Sequence, residues 1–290
     1  MVPRALTLIV AVAITALQGV PLASQAPPAA PAARSAAAFL DAPFGSSLVA
    51  SPAGARVAWV FDAAGARNIW VAEGPAFAGR ALTTYAGDNG QEITNLQWTP
   101  DGQQIVYVRG GGPNRAGELP NPTSDVDGVE QAVWIVPAAG GAPRKLGAGD
   151  APAVSPRGDL VAFVQRGQVW TAGVSGTPAA APLMRTRGSA RSLTFSPDGS
   201  QLAFVSARGT HAYIGVYDLA SRALRYLDPS VDSDAEPAWS PDGRSLAFVR
   251  QAADSGRISF HPVREGEPWS IRVVDVGTGA AREVWRAARG

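Results

Sequence analysis

Five copies of one twelve-residue pattern, together with abundant glycine and proline, predict an all-β fold: a β-propeller of about five four-stranded blades. The chain has 290 residues, of which 32 are glycine and 24 proline, while only 17% are charged, so turns are frequent. Two of the copies read FSPDGSQLAFVS and WSPDGRSLAFVR. The other three read ASPAGARVAWVF, WTPDGQQIVYVR and VSPRGDLVAFVQ, and the five lie at residues 50–61, 98–109, 154–165, 195–206 and 239–250.

Each copy predicts a β-hairpin. Proline presets the backbone at the first central position of a turn, aspartate suits the second, and glycine tolerates the positive φ that follows. The apolar run after the turn, such as residues 202–205, is typical of a strand that is buried on both faces. A second hairpin follows, as in residues 269–276 and 281–285 around a Gly-Thr-Gly turn. Each repeat therefore supplies four strands.

The repeat period is that of a propeller blade, about 45 residues. The anchoring prolines are Pro52, Pro100, Pro156, Pro197 and Pro241. We expect the blades near residues 39–88, 89–149, 150–188, 189–231 and 232–290. Because one blade cannot bury both of its faces, the blades are expected to stack radially around a continuous core. A solenoid fits less well, since β-solenoid repeats are usually shorter and helical periodicity is not found.

The first 26 residues have the pattern of an export signal. Arg4 precedes a continuous apolar run of 12 residues, and small residues suited to signal peptidase follow. A membrane anchor is the alternative, but a span needs about 20 apolar residues. We expect a signal peptide over residues 1–26, a flexible leader over residues 27–38, and a periplasmic or secreted mature chain that has left the membrane.

Composition excludes several kinds of site. The chain has no cysteine, which rules out disulfides and zinc–thiolate centres, and two histidines are too few for a histidine-rich metal site. The net charge is +1 and no block of lysine or arginine stands out, so the sequence shows no electrostatic footprint for nucleic acid. We expect no cofactor, no metal and no nucleic-acid partner.

The repeats resemble those of TolB-like propellers and of the N-terminal propeller in the prolyl oligopeptidase/dipeptidyl peptidase IV family of serine peptidases. Four longer stretches favour the peptidase side, and the resemblance covers residues 39–290. These stretches are ARNIWVAEGP (66–75), GELPNPTSD (117–125), YIGVYDLASRALRYLDPS (213–230) and EGEPWSIRVVDVGTGAAREVW (265–285).

The resemblance implies a ring of seven or eight blades followed by an α/β-hydrolase domain with Ser, Asp and His. Five blades would then be an incomplete ring. No G-x-S-x-G elbow occurs, and the nearest approach, residues 173–177, lacks the final glycine. We expect a non-catalytic propeller portion that gates or positions peptide substrate and is inactive alone. Its partners would be a peptide, the missing hydrolase domain, or a second copy through bare blade faces. The alternative is a TolB-like periplasmic protein-binding scaffold.

The recurring turn residues invite a catalytic or calcium-binding interpretation, but a structural one explains them better. Asp101, Asp198 and Asp242 occupy the same turn position, where the other two copies have Ala53 and Arg157. A ligand set would not tolerate those replacements. The predicted structural turns comprise Pro100, Asp101, Gly102, Pro197, Asp198, Gly199, Pro241, Asp242 and Gly243.

An insertion in the second repeat, residues 110–131, holds the candidate substrate-binding residues. In dipeptidyl peptidase IV-like proteins an arginine from a propeller insertion and a Glu-Glu pair hold the substrate. The resemblance gives Arg115 the part of that arginine, with Glu118 beside it, although no Glu-Glu pair exists here. A solvated loop without a partner is the alternative. Asp125 and Asp127 lack the remaining ligands of a calcium loop.

Neither histidine is expected to act as a general base. His211 and His261 have no recognisable serine and acid with which to form a triad, and His261 lies in a polar insertion. The acidic connection at residues 228–236 is expected to be a solvated linker between blades.

Overall fold

The computed structural model describes residues 42–253 and 269–287, and within them the protein is all-β. Twenty strands form five four-stranded antiparallel blades, so the predicted fold class is confirmed. Across these two ranges no helix is long and apolar enough to cross a bilayer. The predicted signal peptide, the leader and His261 lie outside the described residues.

Each blade is a meander of four consecutive strands. Blade 1 contains β1 (Phe44–Ala50), β2 (Arg56–Ala63), β3 (Ala66–Glu73) and β4 (Arg80–Ala81). Blade 2 contains β5 (Ile93–Trp98), β6 (Gln104–Arg109), β7 (Ala132–Pro137) and β8 (Arg144–Ala148). Blade 3 contains β9 (Asp150–Val154), β10 (Leu160–Gln165), β11 (Gln168–Gly173) and β12 (Ala181–Met184). Blade 4 contains β13 (Ser189–Phe195), β14 (Gln201–Ala207), β15 (Ala212–Asp218) and β16 (Leu224–Leu227). Blade 5 contains β17 (Ser233–Trp239), β18 (Ser245–Gln251), β19 (Trp269–Asp275) and β20 (Ala281–Arg286).

The second strand of every blade carries the apolar four-residue run, and its side chains alternate between two neighbours. The first and third residues of the run point to the preceding blade, and we name the face that carries them the front face. The second and fourth residues point to the following blade, and we name the face that carries them the back face. In blade 3, for example, Val161 and Phe163 pack with Val106 and Val108 of blade 2. Ala162 instead packs with Leu202 and Phe204 of blade 4.

Four hydrophobic clusters repeat this arrangement, one at each junction between successive blades. In the three central blades the run is buried at all four positions. The third position carries a large aromatic ring that is fully buried in Tyr107, Phe163, Phe204 and Phe248. The core is therefore a series of identical front-to-back contacts.

Within the described residues, blades 1 and 5 each have one face that no other blade covers. In blade 1 the back-face residues Ala58 and Val60 are buried, while the front-face residues Val57 and Trp59 are only half-buried. Phe61 and Trp70 join Trp59 in a half-buried aromatic cluster, with ring centroids 5.1 Å (Phe61–Trp70) and 6.2 Å (Trp59–Trp70) apart.

Blade 5 has the opposite asymmetry. Its front-face residues Leu246 and Phe248 are buried, whereas the back-face residues Ala247 and Val249 are half-buried. Ile271 pairs with Trp285 on the back face, and Trp285 is 47% exposed. Residues 42–253 and 269–287 thus leave one front face and one back face without a partner blade.

The first strands of the blades follow one another around the axis. β1, β5, β9, β13 and β17 pack in succession, and no comparable contact joins β1 to β17 in the described part of the chain. Side chains brace these junctions: the Trp98 indole N–H donates to the Val49 carbonyl (3.3 Å) and that of Trp239 donates to the Thr194 carbonyl (3.1 Å).

Every first strand also contains a β-bulge that the sequence analysis missed. At each bulge one non-glycine residue has a left-handed backbone, with φ between 48° and 54°. These residues are Ser47, Asn95, Ala151, Ser192 and Glu236, and each lies five positions before the turn proline. Since a bulge increases local twist, the repeated bulge helps each blade to splay from the axis.

Candidate functional site

The blades present two different rims. Because consecutive strands are antiparallel, the turns after the first and third strands lie at one end of the stack. We name this end the turn rim; it carries the turns at residues 51–55, 99–103, 155–159, 196–200 and 240–244. The opposite end, the loop rim, carries the connections between second and third strands, including the insertion at 110–131, and the connections between blades.

The three turn aspartates make the same local hydrogen bonds. The Ser196 hydroxyl donates to the Asp198 carboxylate (2.6 Å), and the Ser200 backbone N–H donates to the same oxygen (3.0 Å). Thr99 and Ser240 donate in the same way to Asp101 and Asp242, each at 2.6 Å. The carboxylates are thus engaged by their own turns.

These hydrogen bonds lower the pKa values of the three aspartates. The Ser196 hydroxyl, followed by the Ser200 backbone and side chain, holds the pKa of Asp198 at about 2. Hydrogen bonds from Thr99 and from Ser240 lower the pKa of Asp101 and of Asp242, respectively. All three are therefore ionised at neutral pH and poorly suited to accept a proton in catalysis.

The turns also contact each other across neighbouring blades. Gly199 has φ of +66°, and a Cβ there would lie 2.9 Å from Cγ of Arg157 in the preceding turn. A Cβ at Gly102 would lie 2.6 Å from the Ser51 hydroxyl. Arg157, which replaces the aspartate in blade 3, donates from Nε to the Asp198 carbonyl (2.6 Å). Two further turns approach their neighbours in the same way. A Cβ on Gly158 would lie 3.8 Å from Pro100, and a Cβ on Gly243 would lie 3.5 Å from Pro197. These contacts leave little space between neighbouring turns on the turn rim.

On the loop rim, the insertion is held by its own asparagines. Asn114 accepts the Glu118 backbone N–H (3.0 Å) and donates to its carboxylate (2.9 Å), while Asn121 accepts the Asp125 backbone N–H (2.9 Å). Arg115 and Glu118 are both exposed. Neither lines the cavity of about 180 Å³ beneath the insertion, whose lining includes Arg109, Asp125, Glu130 and Trp134. Their substrate-binding role stays a prediction.

The other candidate residues are dispersed. The His211 ring contacts the Tyr213 ring at a tilt of 52°, with ring centroids 4.9 Å apart. Among the residues that the structure describes, no three His, Asp or Glu side chains are grouped so as to hold a metal ion.

The acidic connection between blades 4 and 5 is not simply solvated, contrary to expectation. Asp234 is fully buried and accepts from Nε of Arg250 (2.7 Å). Asp228 lies 3.1 Å from Nη1 of Arg250 and 2.6 Å from Nε of Arg272. These ion pairs anchor blade 5 to the connection that leads into it, so the acidic residues have a structural role.

Solved structures of other propellers resemble this chain. A putative TolB from Agrobacterium tumefaciens is 17% identical with a TM-score of 0.51, covering 85% of this chain and 82% of that one. The tricorn protease is 15% identical with a TM-score of 0.54, covering 80% and 22%. A prolyl endopeptidase structure is 10% identical with a TM-score of 0.50, covering 85% and 50%. No protein-family model and no curated protein matches the sequence.

At these identities the similarity shows the fold alone. This chain spans most of the putative TolB, half of the prolyl endopeptidase chain and about a fifth of the tricorn protease chain. The comparisons therefore show the β-propeller fold and do not single out the prolyl oligopeptidase/dipeptidyl peptidase IV family.

The turn hydrogen bonds give a pH-dependent prediction. Asp198→Asn keeps a neutral hydrogen-bond acceptor but removes the charge of the carboxylate. It should therefore lower the free energy of unfolding at neutral pH. Because the site is exposed, the decrease should be no more than about 1 kcal/mol. Because the pKa of Asp198 is lower in the folded protein than in the unfolded chain, its ionised form stabilises the fold above the unfolded-chain pKa of about 3.9. This stabilisation is lost as the pH falls from that value toward the folded-state pKa. Urea unfolding of both proteins should show the difference shrinking over that window.

Asp159→Asn is the matched control for this experiment. Asp159 is an exposed turn carboxylate that accepts no hydrogen bond within the described ranges. The control should differ less from the parent at neutral pH. A difference for Asp198→Asn that stays constant down to the folded pKa would contradict the assigned hydrogen bonds.

Proposed function

We propose that this chain is the non-catalytic propeller portion of an exported serine oligopeptidase- or dipeptidyl peptidase-like enzyme, where it gates or positions peptide substrate. One observation carries the proposal: the two rims differ in the length and packing of their loops. Short turns in mutual contact close one rim, while the other gathers the long insertion and the connections between blades. Long loops on a rigid scaffold commonly hold binding residues.

The composition of the loop rim supports binding rather than chemistry. The insertion places Arg115 and Glu118 in solvent, where an extended peptide could reach them. The turn aspartates, which recur most regularly, are engaged by their own turns on the opposite rim. In the proposed enzyme a separate hydrolase domain would perform the reaction, and the propeller would restrict access to it. Export rests on the sequence pattern of residues 1–26.

A TolB-like protein-binding scaffold is the second candidate. The observation that favours it is the fold similarity to a putative TolB, with a TM-score of 0.51 over 85% of this chain. Sequencing the gene beyond codon 290 separates the two candidates. Further repeats and a G-x-S-x-G elbow in frame would favour the peptidase, and unrelated sequence after a stop codon would favour the scaffold.

We propose that the unpaired faces of blades 1 and 5 pack against blades of another domain or of a second chain. All four internal junctions join a back face to a front face, and the free faces of blades 5 and 1 are one of each kind. In the isolated chain, we therefore propose that these faces drive head-to-tail self-association.

The isolated chain should not cleave peptides. Short chromogenic prolyl and dipeptidyl substrates should be hydrolysed no faster with the purified protein than with buffer, since the proposed catalytic residues belong to another domain. Turnover that persists through successive purification steps and resists inhibitors of contaminating peptidases would overturn the non-catalytic role.

Self-association should depend on the terminal faces. In sedimentation velocity across the micromolar range, the average mass of the parent chain should rise with concentration. Trp59→Glu on the front face and Val249→Glu on the back face should each reduce this rise, because a charge there opposes apolar docking.

Val126→Glu is the control for the association experiment, since Val126 is 97% exposed on the insertion. This variant should associate like the parent. A parent chain that stays monomeric at all concentrations, or a control that loses association equally, would contradict the docking of terminal faces.

A further inference from the structure

Four arginines form a continuous basic edge on the loop rim of blades 3 and 4. We name this set the arginine edge; it comprises Arg166, Arg185, Arg187 and Arg208. Arg166 lies in the turn between β10 and β11, and Arg185 and Arg187 lie in the connection from blade 3 to blade 4. Arg208 follows β14 and passes over Gly188, where a Cβ would lie 3.3 Å from its Cγ. The topology of two blades thus brings the four residues together.

The backbone beneath the arginine edge is held by side-chain hydrogen bonds. Gln168 donates to the Gly188 carbonyl (3.1 Å) and accepts the Thr186 backbone N–H (2.8 Å). The Ser206 hydroxyl donates to the Arg187 carbonyl (3.0 Å). Arg185 and Arg187 therefore project from a backbone that is already held in place, which reduces the entropy lost when a ligand binds.

The charge of the arginine edge is not neutralised within the described chain. None of the ion pairs between described residues involves its four members. Between residues 160 and 217 the sequence contains one acidic residue, Asp198, and this lies on the opposite, turn rim. Arg208 is instead placed over the rings of Tyr213 and Tyr226, each with its centroid 4.9 Å away.

A cavity opens beside two of these arginines. It has a volume of about 560 Å³, and Arg166 and Arg185 line it together with the apolar surfaces of Trp170 and Pro182. The hydroxyl oxygen of Thr186, in the same wall, is buried and has no hydrogen-bond partner within the described residues. The cavity therefore combines two guanidinium groups with an apolar wall.

We propose that this cavity binds the carboxylate of an unstructured peptide, with the side chain next to that carboxylate lying against Trp170 and Pro182. Guanidinium groups bind carboxylates through paired, charge-assisted hydrogen bonds. The proposal rests on the proposed peptide-binding role of the loop rim and names the chemistry that it recognises. It places recognition at blade 3 and its connection to blade 4, away from the insertion that carries Arg115.

The surroundings favour a single carboxylate over an extended polyanion. Along the loop rim the arginine edge ends at Asp150 on one side and at Asp232 on the other. A nucleic-acid strand that follows the rim would meet these carboxylates, whereas binding of nucleic acid needs a longer basic track. One peptide carboxylate fits between the acidic boundaries.

Three peptides test the proposal by isothermal titration against the full chain. The first is acetyl-Ala-Ala-Phe with a free carboxylate, the second is its C-terminal amide, and the third is acetyl-Ala-Phe-Glu-Ala amide. We expect the amide of the first peptide to bind at least about tenfold more weakly than the free acid. The third peptide distinguishes an acidic side chain from a terminal carboxylate as the source of the charge.

A matched pair of double variants locates the site. Arg166→Ala with Arg185→Ala should weaken binding of the carboxylate peptides about tenfold or more. Arg222→Ala with Arg225→Ala removes the same charge from exposed positions in blade 4 away from this cavity, and it should leave binding unchanged. Arg166 and Arg222 also share a left-handed backbone, with φ of 50° and 59°, so the substitutions impose the same backbone demand.

The outcomes separate this proposal from the proposed function. Equal binding of all three peptides, unaffected by loss of Arg166 and Arg185, would leave peptide binding standing but overturn the carboxylate site. Absence of binding by every peptide would overturn both. Displacement of the free-acid peptide by an equal concentration of inorganic phosphate would also overturn the carboxylate site, because the apolar wall would then contribute nothing to binding.

Discussion

Packing of alternate faces between neighbouring blades is the interaction on which the rest of the structure depends. A four-stranded sheet of this size cannot hide both of its apolar faces, and each blade is completed by the next. Residues such as Phe163 and Phe204 are fully buried only because a neighbouring blade covers them. The same rule explains why the chain repeats its sequence and why the outer faces of blades 1 and 5 stay partly exposed.

Because of this packing, the two rims differ in how far they contribute to the scaffold. The turn rim is part of the scaffold, since its aspartates bond within their own turns and its glycines admit the turn of the preceding blade. The loop rim is free of that requirement. It can carry the insertion, and the basic cavity of blade 3, without disturbing the core. Binding is therefore expected at the loop rim, and the blades serve to position it.

The sequence predicted the blades because their determinants are local: a turn at Pro-Asp-Gly and an apolar run after it. It missed the repeated bulge because Ser47, Ala151 and Glu236 are not glycines, although a leucine or proline always follows the left-handed residue. It misjudged Asp234, whose burial depends on Arg250 sixteen residues later. The arginine edge was missed as well, since its members come from separate connections that only the fold brings together.

Amide hydrogen exchange across the five second strands tests the central claim most directly. If neighbouring blades complete one another, amides in β6, β10 and β14, which are covered on both faces, should exchange most slowly. Amides in β2 and β18, each covered on one face, should exchange faster under conditions where the protein does not self-associate. Equal protection in all five strands, or greater protection in β2 and β18, would contradict the account.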